Sequence, residues 1–280
     1  MTYCVAMRLD AGLVFLADSR TNAGIDQVGA VRKMSVFEHP GERVMVLMTS
    51  GNLSLAQSVL QLVGELSASN GYTVWDAPNL FEAARVVGEA VRMIHTREAE
   101  ALHKFGIDFD INLILGGQVK GERCRLFHIY AAGNFIEALA KHPYFQIGEA
   151  KYGRPVIDRV ITPASSLDAA AKCALISMDS TLRSNVSVGM PLELLVYEAD
   201  SLAVTRFVTV EENNQYFQMV RNAWGQQLKA AFDGIDAPQW AALAAHPSQP
   251  LRVPLPARLA SAAAPAEPQS FAQQFGGGQQ

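Results

Sequence analysis

The sequence predicts an α+β fold built as a four-layer αββα sandwich, and three observations point to it. Strand-like and helix-like stretches come in blocks, in the order strands, two helices, strands, two helices, strands, helix. Blocks of this kind favour antiparallel sheets with segregated helices over alternating βαβ units. Five helical patterns suffice to cover the outer faces of two stacked sheets. The chain is 280 residues long and 49% apolar, enough to bury the core such a sandwich needs.

The first strand is expected over residues 2 to 9, where Val5, Met7 and Leu9 alternate with Cys4, Ala6 and Arg8. Ala11-Gly12 signals a tight turn into the apolar run Leu13 to Ala17, which ends in Asp18-Ser19-Arg20. The polar, Gly-containing stretch from Thr21 to Val31 reads as a loop. Lys33 to Glu38 and Arg43 to Thr49 form the next strand pair, around His39-Pro40-Gly41. The period then changes: Leu55, Val59, Leu62 and Leu66 recur at helical spacing, with Asn52 as a cap and Asn70-Gly71 as a stop. A second helix runs from about Asn79 to His103, with Asn79 and Glu82 as a capping box and Leu80, Ala84, Val87, Val91 and Ile94 as its buried stripe.

Phe109 to Gly116, Arg125 to Tyr130 and Tyr144 to Ile147 read as strands. Helices follow at about Ala150 to Val160 and Ser166 to Arg183, the second burying Leu167, Ala171, Ala174, Met178 and Leu182. Val188 to Glu198 and Leu202 to Val210 read as a closing hairpin. A last helix covers about Asn213 to Phe232, with Phe217, Val220, Trp224 and Leu228 on one side. Residues 1–236 make a single domain. The Ala-, Pro-, Gln- and Gly-rich residues 237–280 make an extended or disordered tail.

Composition excludes several functions. A net charge of −4 leaves no footprint for nucleic acid or an anionic membrane. No signal peptide is read at the N-terminus, and no apolar run is long enough to predict a bilayer span. Cys4, Cys124 and Cys173 are widely spaced, with no CxxC pair, so neither a zinc site nor a disulfide framework is expected and a reducing cytoplasm fits. His95 and His103 stand eight apart on a helix, which is wrong for a metal pair, and His128 reads as a core or edge residue. No metal or organic cofactor is expected.

The candidate chemistry begins at Thr2. Loss of Met1 would give this residue a hydroxyl and a free α-amine together, and the amine can take the hydroxyl's proton. Its reference pKa is about 7.7–8.0, and a nearby cation lowers it further. Asp18 ends the second strand, Lys33 begins the third, and Gly51 lies between a strand and a helix, where a backbone N–H can face a developing oxyanion. Cys4 lacks a free amine and is not the expected nucleophile. Met45 and Met48 flank this region, one expected in the core and the other in the cleft, with Met48 taken as the cleft residue.

In their order and spacing these residues resemble the proteasome β-subunit type of N-terminal nucleophile hydrolase. The matching features are the Thr that opens a strand, Asp18-Ser19-Arg20, Asn22-Ala23-Gly24, Arg32-Lys33-Met34 and Thr49-Ser50-Gly51. Thr2 to Asp18 fits without a gap, and Lys33 fits with a loop about one residue shorter. The stretches TYCVAMRLDAGLVFLADSRTNAG, FQIGEAKYGRPVIDR and TLRSNVSVGMPLELLVYE are similar to the bacterial ancestral β-subunit (Anbu) group. The resemblance spans about residues 2 to 232.

The resemblance implies a threonine peptidase. Thr2 would be nucleophile and base, Lys33 the cation beside it, Asp18 the carboxylate orienting Lys33, Gly51 the oxyanion donor and Ser187 the hydroxyl holding the amine. Asn22 and Gly24 would align an extended peptide, with Gly51 and Met48 beside it. Glu149 stands where the wider family has Ser, and Ser184 where it has Asp, so these two would modulate the site. The resemblance also implies self-assembly into a ring-like or helical homo-oligomer; an ATPase partner is not read. Two alternatives stand beside the peptidase: a self-assembling structural subunit without cleavage, and an amidohydrolase of small molecules on the same fold.

Overall fold

A computed structural model of the chain describes residues 2–23, 27–69 and 71–239, with the backbone alone at 21–23, 27 and 28. The fold is mixed α+β, with two five-stranded antiparallel sheets, a two-stranded ribbon and five helices among the described residues.

The first sheet starts from the hairpin β1 (Tyr3–Leu9) and β2 (Gly12–Asp18). It is completed by β10 (Tyr144–Gly148), β11 (Leu192–Glu198) and β12 (Arg206–Val210), in the order β10-β1-β2-β11-β12. The second sheet has the order β5-β6-β7-β8-β9. Its strands are β5 (Met34–His39), β6 (Arg43–Gly51), β7 (Ile111–Val119), β8 (Arg125–Ile129) and β9 (Phe135–Glu137). The helices are α1 (Leu53–Glu65), α2 (Leu80–Lys104), α3 (Ala150–Val160), α4 (Leu167–Ser184) and α5 (Gln215–Asp233).

Three apolar clusters account for the packing. On β1, Tyr3, Val5, Met7 and Leu9 meet Ile157 of α3, Met178 of α4 and Phe217 of α5. The other face of the same strand carries Cys4 and Ala6, which with Phe15 meet Val46, Met48 and Ile114 of the second sheet. The far face of that sheet, including Met45, Leu47 and Leu115, packs on Val59 of α1 and Val87 of α2. Each such aliphatic side chain removed from water contributes roughly 1.5–3 kcal/mol before entropy is set against it.

Several local expectations are corrected. The stretch from Thr21 to Val31 is not all loop. Its backbone forms the ribbon β3 (Arg20–Ala23) and β4 (Gln27–Ala30), with Thr21 paired to Gly29. α1 stops at Glu65, well before Gly71, with Leu66 as its C-cap; Asn70 lies outside the described residues. The strand expected from Val188 begins only at Leu192, after a cis Met190–Pro191 peptide bond, and its partner begins at Arg206, not Leu202. Of the side expected to carry Phe217, Val220, Trp224 and Leu228 on the last helix, Phe217 and Val220 are buried while Leu228 is 56% exposed.

Other signals hold as read. Asn52 accepts from Ser54 N–H and Asn79 from Glu82 N–H, each capping the helix that follows; Ser166, read only as the start of its helix, likewise accepts from Ala169 N–H. Among the described residues no helix is long and apolar enough to cross a membrane. The chain divides into two compact units at Ala230, and residues 240–280, most of the tail expected from 237 onward, lie outside the described residues.

Candidate active site

The hairpin β1–β2 and the strand β10 bring the start of the chain together with three distant segments. Tyr3 pairs with Gly148, and the Thr2 carbonyl accepts the Glu149 N–H at 2.8 Å. Gly148 has φ +79°, and a Cβ there would collide with the Thr2 carbonyl, so glycine is needed for this approach.

Asp18, at the end of β2, is fully buried. Its Oδ1 accepts the Tyr3 N–H at 3.0 Å and Lys33 Nζ at 2.7 Å, and its Oδ2 accepts the Gly189 N–H at 3.3 Å. Burial pushes the Asp18 carboxyl above its usual range, while the Lys33 charge and these hydrogen bonds pull against that rise. Lys33 also donates to the Arg20 carbonyl at 2.8 Å, so its ammonium is held from two sides. The Lys33 carbonyl accepts the Thr49 N–H at 3.0 Å, tying β6 to the same place.

β6 ends at Gly51, where φ is +103° and a Cβ would collide with the Asp110 carbonyl. Asn52 then caps α1. Thr2, Lys33 and Gly51 line one cavity of about 230 Å³, together with Arg20, Arg32 and the first residues of α1. A larger cavity of about 550 Å³ lies elsewhere, against α4, β11 and β12, lined by residues such as Leu175, Val196 and Phe207. Its lining is mainly apolar, and it shares no lining residue with the cavity that holds Thr2 and Lys33.

The other expected site residues fall differently. Ser187 is half-buried in the segment after α4, where its backbone N–H donates to Asn185 Oδ1 at 2.9 Å. Two residues on, the Gly189 N–H donates to Asp18 Oδ2. Glu149 precedes α3 and pairs with Lys151 at 3.5 Å. Ser184 is the exposed last residue of α4. Asn22 lies on β3, its backbone paired with Val28, while Gly24 lies outside the described residues.

Met48 is a correction. It is fully buried, in the cluster between the sheets, so it does not line the cavity; Met45 is equally buried on the helix-covered face. Alternation along β6 sends the two side chains to opposite faces, and both faces of this sheet are covered. Arg20 and Arg32 were visible only as members of motifs, yet both line the cavity. Behind Arg32 stands Glu193 of β11, whose Oε1 is 3.2 Å from Arg32 Nε. That pairing joins segments about 160 residues apart, and only the position of Arg32 next to Lys33 hinted at it. Among the described residues no group of three or more His, Cys, Asp or Glu side chains is arranged to hold a metal.

Neither a protein-family model nor a curated protein matches the chain. Solved structures do. Anbu (ancestral β-subunit) from Yersinia bercovieri is 47% identical, with a TM-score of 0.79, over 85% of this chain and 99% of that one. Anbu from Hyphomicrobium sp. strain MC1 is 48% identical, with a TM-score of 0.77, over 85% of this chain and all of that one. A helical assembly of the Anbu complex from Pseudomonas aeruginosa is 42% identical, with a TM-score of 0.80, over 86% and 99%. With identity at this level across nearly the whole of each relative, the chain belongs to the Anbu family of ancestral β-subunits.

Proposed function

We propose that this chain is a threonine-type N-terminal nucleophile hydrolase that cleaves peptide bonds through an acyl-ester on Thr2. The observation that carries the reading is the shared cavity of Thr2, Lys33 and Gly51, with the buried Asp18–Lys33 pair fixing the cation beside it.

In this reading, removal of Met1 exposes the Thr2 α-amine. The positive charge of Lys33 disfavours a second cation nearby and keeps more of the amine neutral. The amine accepts the Oγ proton as Oγ forms a bond to the substrate carbonyl carbon. The N–H of Gly51 stabilises the oxyanion, a contribution of roughly a hundred- to a thousandfold for one such donor. The C–N bond then breaks, and the ammonium returns the proton to the departing amine. Water next gives a proton to the Thr2 amine and adds to the ester. The acid product leaves as Oγ recovers a proton. Ser187 would help hold the amine, and the backbone of Asn22 and Gly24 would align the peptide.

The same reading takes the two sheets and five helices as a four-layer αββα sandwich forming one domain over 1–236. The three free, buried cysteines suit a reducing cytoplasm. The chain would self-assemble, as its relative in a helical assembly does. Apolar side chains exposed on α3 and α5, among them Val160, Tyr216 and Met219, support burial against a second copy.

A silent structural subunit is favoured by one observation. Ser184 is exposed and Glu149 turns to Lys151, so neither is seen to replace the partners that the wider family keeps at these positions. Peptide hydrolysis decides between the readings. The peptidase reading expects turnover that falls to background in Thr2→Ala and persists in Thr2→Ser. Activity unaffected by Thr2→Ala, or absent from a wild-type chain that has lost Met1, contradicts it.

A further inference from the structure

Among the described residues three cations line the cavity that holds Thr2, and no Asp or Glu does. Their charges are unequally compensated. Lys33 is matched by Asp18 at 2.7 Å. Arg20 donates from Nη1 to the Val186 carbonyl at 2.8 Å, which fixes the guanidinium without neutralising it. Arg32 meets Glu193 through Nε at 3.2 Å, and the two side chains are 76% and 4% exposed. Among the described residues three cations thus face two carboxylates, one positive charge in excess, and both carboxylates are buried behind the cavity wall. α1 adds to the same field: its N-terminus lies at the cavity and its first turn carries no acidic residue.

Glu193 is otherwise hard to explain. Its Oε2 is buried without a hydrogen-bond partner among the described residues, and burial pushes its carboxyl up while the Arg32 charge and a hydrogen bond from the Met34 backbone pull it down. A buried carboxylate left half-satisfied is costly. Its ion pair among the described residues is to Arg32, the most outward of the three cations. The closest approach of the pair is at Nε, and Arg32 makes no other ion pair among the described residues. An exposed guanidinium on the cavity wall is a planar fork suited to a carboxylate.

We propose that this cavity selects a carboxylate on the substrate, the side chain of an Asp or Glu that supplies the attacked carbonyl, with Arg32 as its ligand and Glu193 as the residue that positions Arg32. A volume of about 230 Å³ suits one side chain of this size. The identity of the attacked carbonyl rests on the reading of Thr2 as nucleophile; the preference for negative charge does not.

Binding is therefore measured apart from chemistry. The full chain is titrated calorimetrically with acetylated tripeptide amides ending in Glu, Gln or Lys, and with acetyl-trialanine bearing a free terminal carboxylate. The Glu peptide is expected to bind at least about fivefold more tightly than the Gln peptide. The Lys peptide should bind most weakly, and added salt should shrink the Glu advantage. Arg32→Gln should bring Glu and Gln within about twofold. Glu193→Gln should lose part of the advantage by freeing Arg32. Equal binding of Glu and Gln, a preference that survives Arg32→Gln, binding of the terminal carboxylate as tight as that of Glu, or no detectable Glu-peptide binding at millimolar concentration each overturns the proposal. If the Arg32-dependent preference appears while Thr2 stays inert to a peptide epoxyketone, the catalytic reading fails alone. If Thr2 reacts but Glu and Gln bind alike, the charge preference fails alone.

Discussion

Asp18 Oδ1 and Lys33 Nζ lie 2.7 Å apart with both side chains out of solvent, and the same oxygen accepts the backbone N–H of Tyr3, the residue that follows Thr2. One carboxylate therefore links the lysine to the start of the chain. Removing one partner of a buried pair leaves a stranded charge. Asp18→Asn is expected to cost about 3–5 kcal/mol of stability, and Lys33→Met a comparable amount. The double variant, with no net charge to bury, should recover most of that loss yet stay unreactive at Thr2. Urea melts of the four proteins, with probe labelling of each, check this. A double variant as unstable as the sum of the singles would show that the pair is not coupled.

Gly148 sets the position of Thr2 by steric necessity. Ala at this position must adopt φ +79° and also displace the Thr2 carbonyl. Gly148→Ala is expected to cost at least about 1–3 kcal/mol from the backbone alone and to abolish Thr2 labelling in whatever fraction stays folded. Labelling at the wild-type rate in the folded fraction would show that the Thr2–Gly148 contact does not position the nucleophile.

Acid stability should depend on His128. Burial lowers its pKa from 6.5, with Asn112 Oδ1 at 3.4 Å and the Tyr130 and Phe145 rings beside it. A base with a depressed folded-state pKa binds fewer protons folded than unfolded. Its contribution is complete above the unfolded pKa and is lost as pH falls through the window beneath it. His128→Phe should therefore flatten the fall in thermal stability between pH 7.5 and 5. The difference between the two proteins isolates this residue, and parallel pH profiles would contradict the assignment.

What could be read from the sequence follows from which forces are local. α3 and α4 were legible because helical spacing lies within one stretch of chain. Thr2, Asp18, Lys33 and Gly51 were legible only together, through the resemblance, because each by itself reads equally well as an ordinary strand-end or turn residue. The β3–β4 ribbon was not, because its polar residues have no apolar alternation and its backbone pairing alone reveals it. Nor was Met48: a strand buried on both faces offers no polar side to say which face borders a cleft. The Arg32–Glu193 pair joins residues whose approach depends on strand order and leaves no periodic trace.

Assembly should run through the apolar surface of α3 and α5. Met219 is 51% exposed, and a charge there would oppose burial against a second copy without touching the Thr2 cavity. Met219→Glu is expected to shift the chain toward smaller species in light scattering and to leave the melting temperature of the single chain within a few degrees. Unchanged particle size would move the interface to another surface.

The most direct test is the intact mass of the full-length protein before and after a peptide epoxyketone, whose two electrophilic carbons require a hydroxyl and an amine on the same residue. The expected result is a chain that lacks Met1 and gains the mass of one probe, with the adduct on Thr2 and absent from Thr2→Ala. A chain that retains Met1, or a Met1-free chain whose adduct lies elsewhere or never forms, would contradict the assignment of nucleophile and base to Thr2.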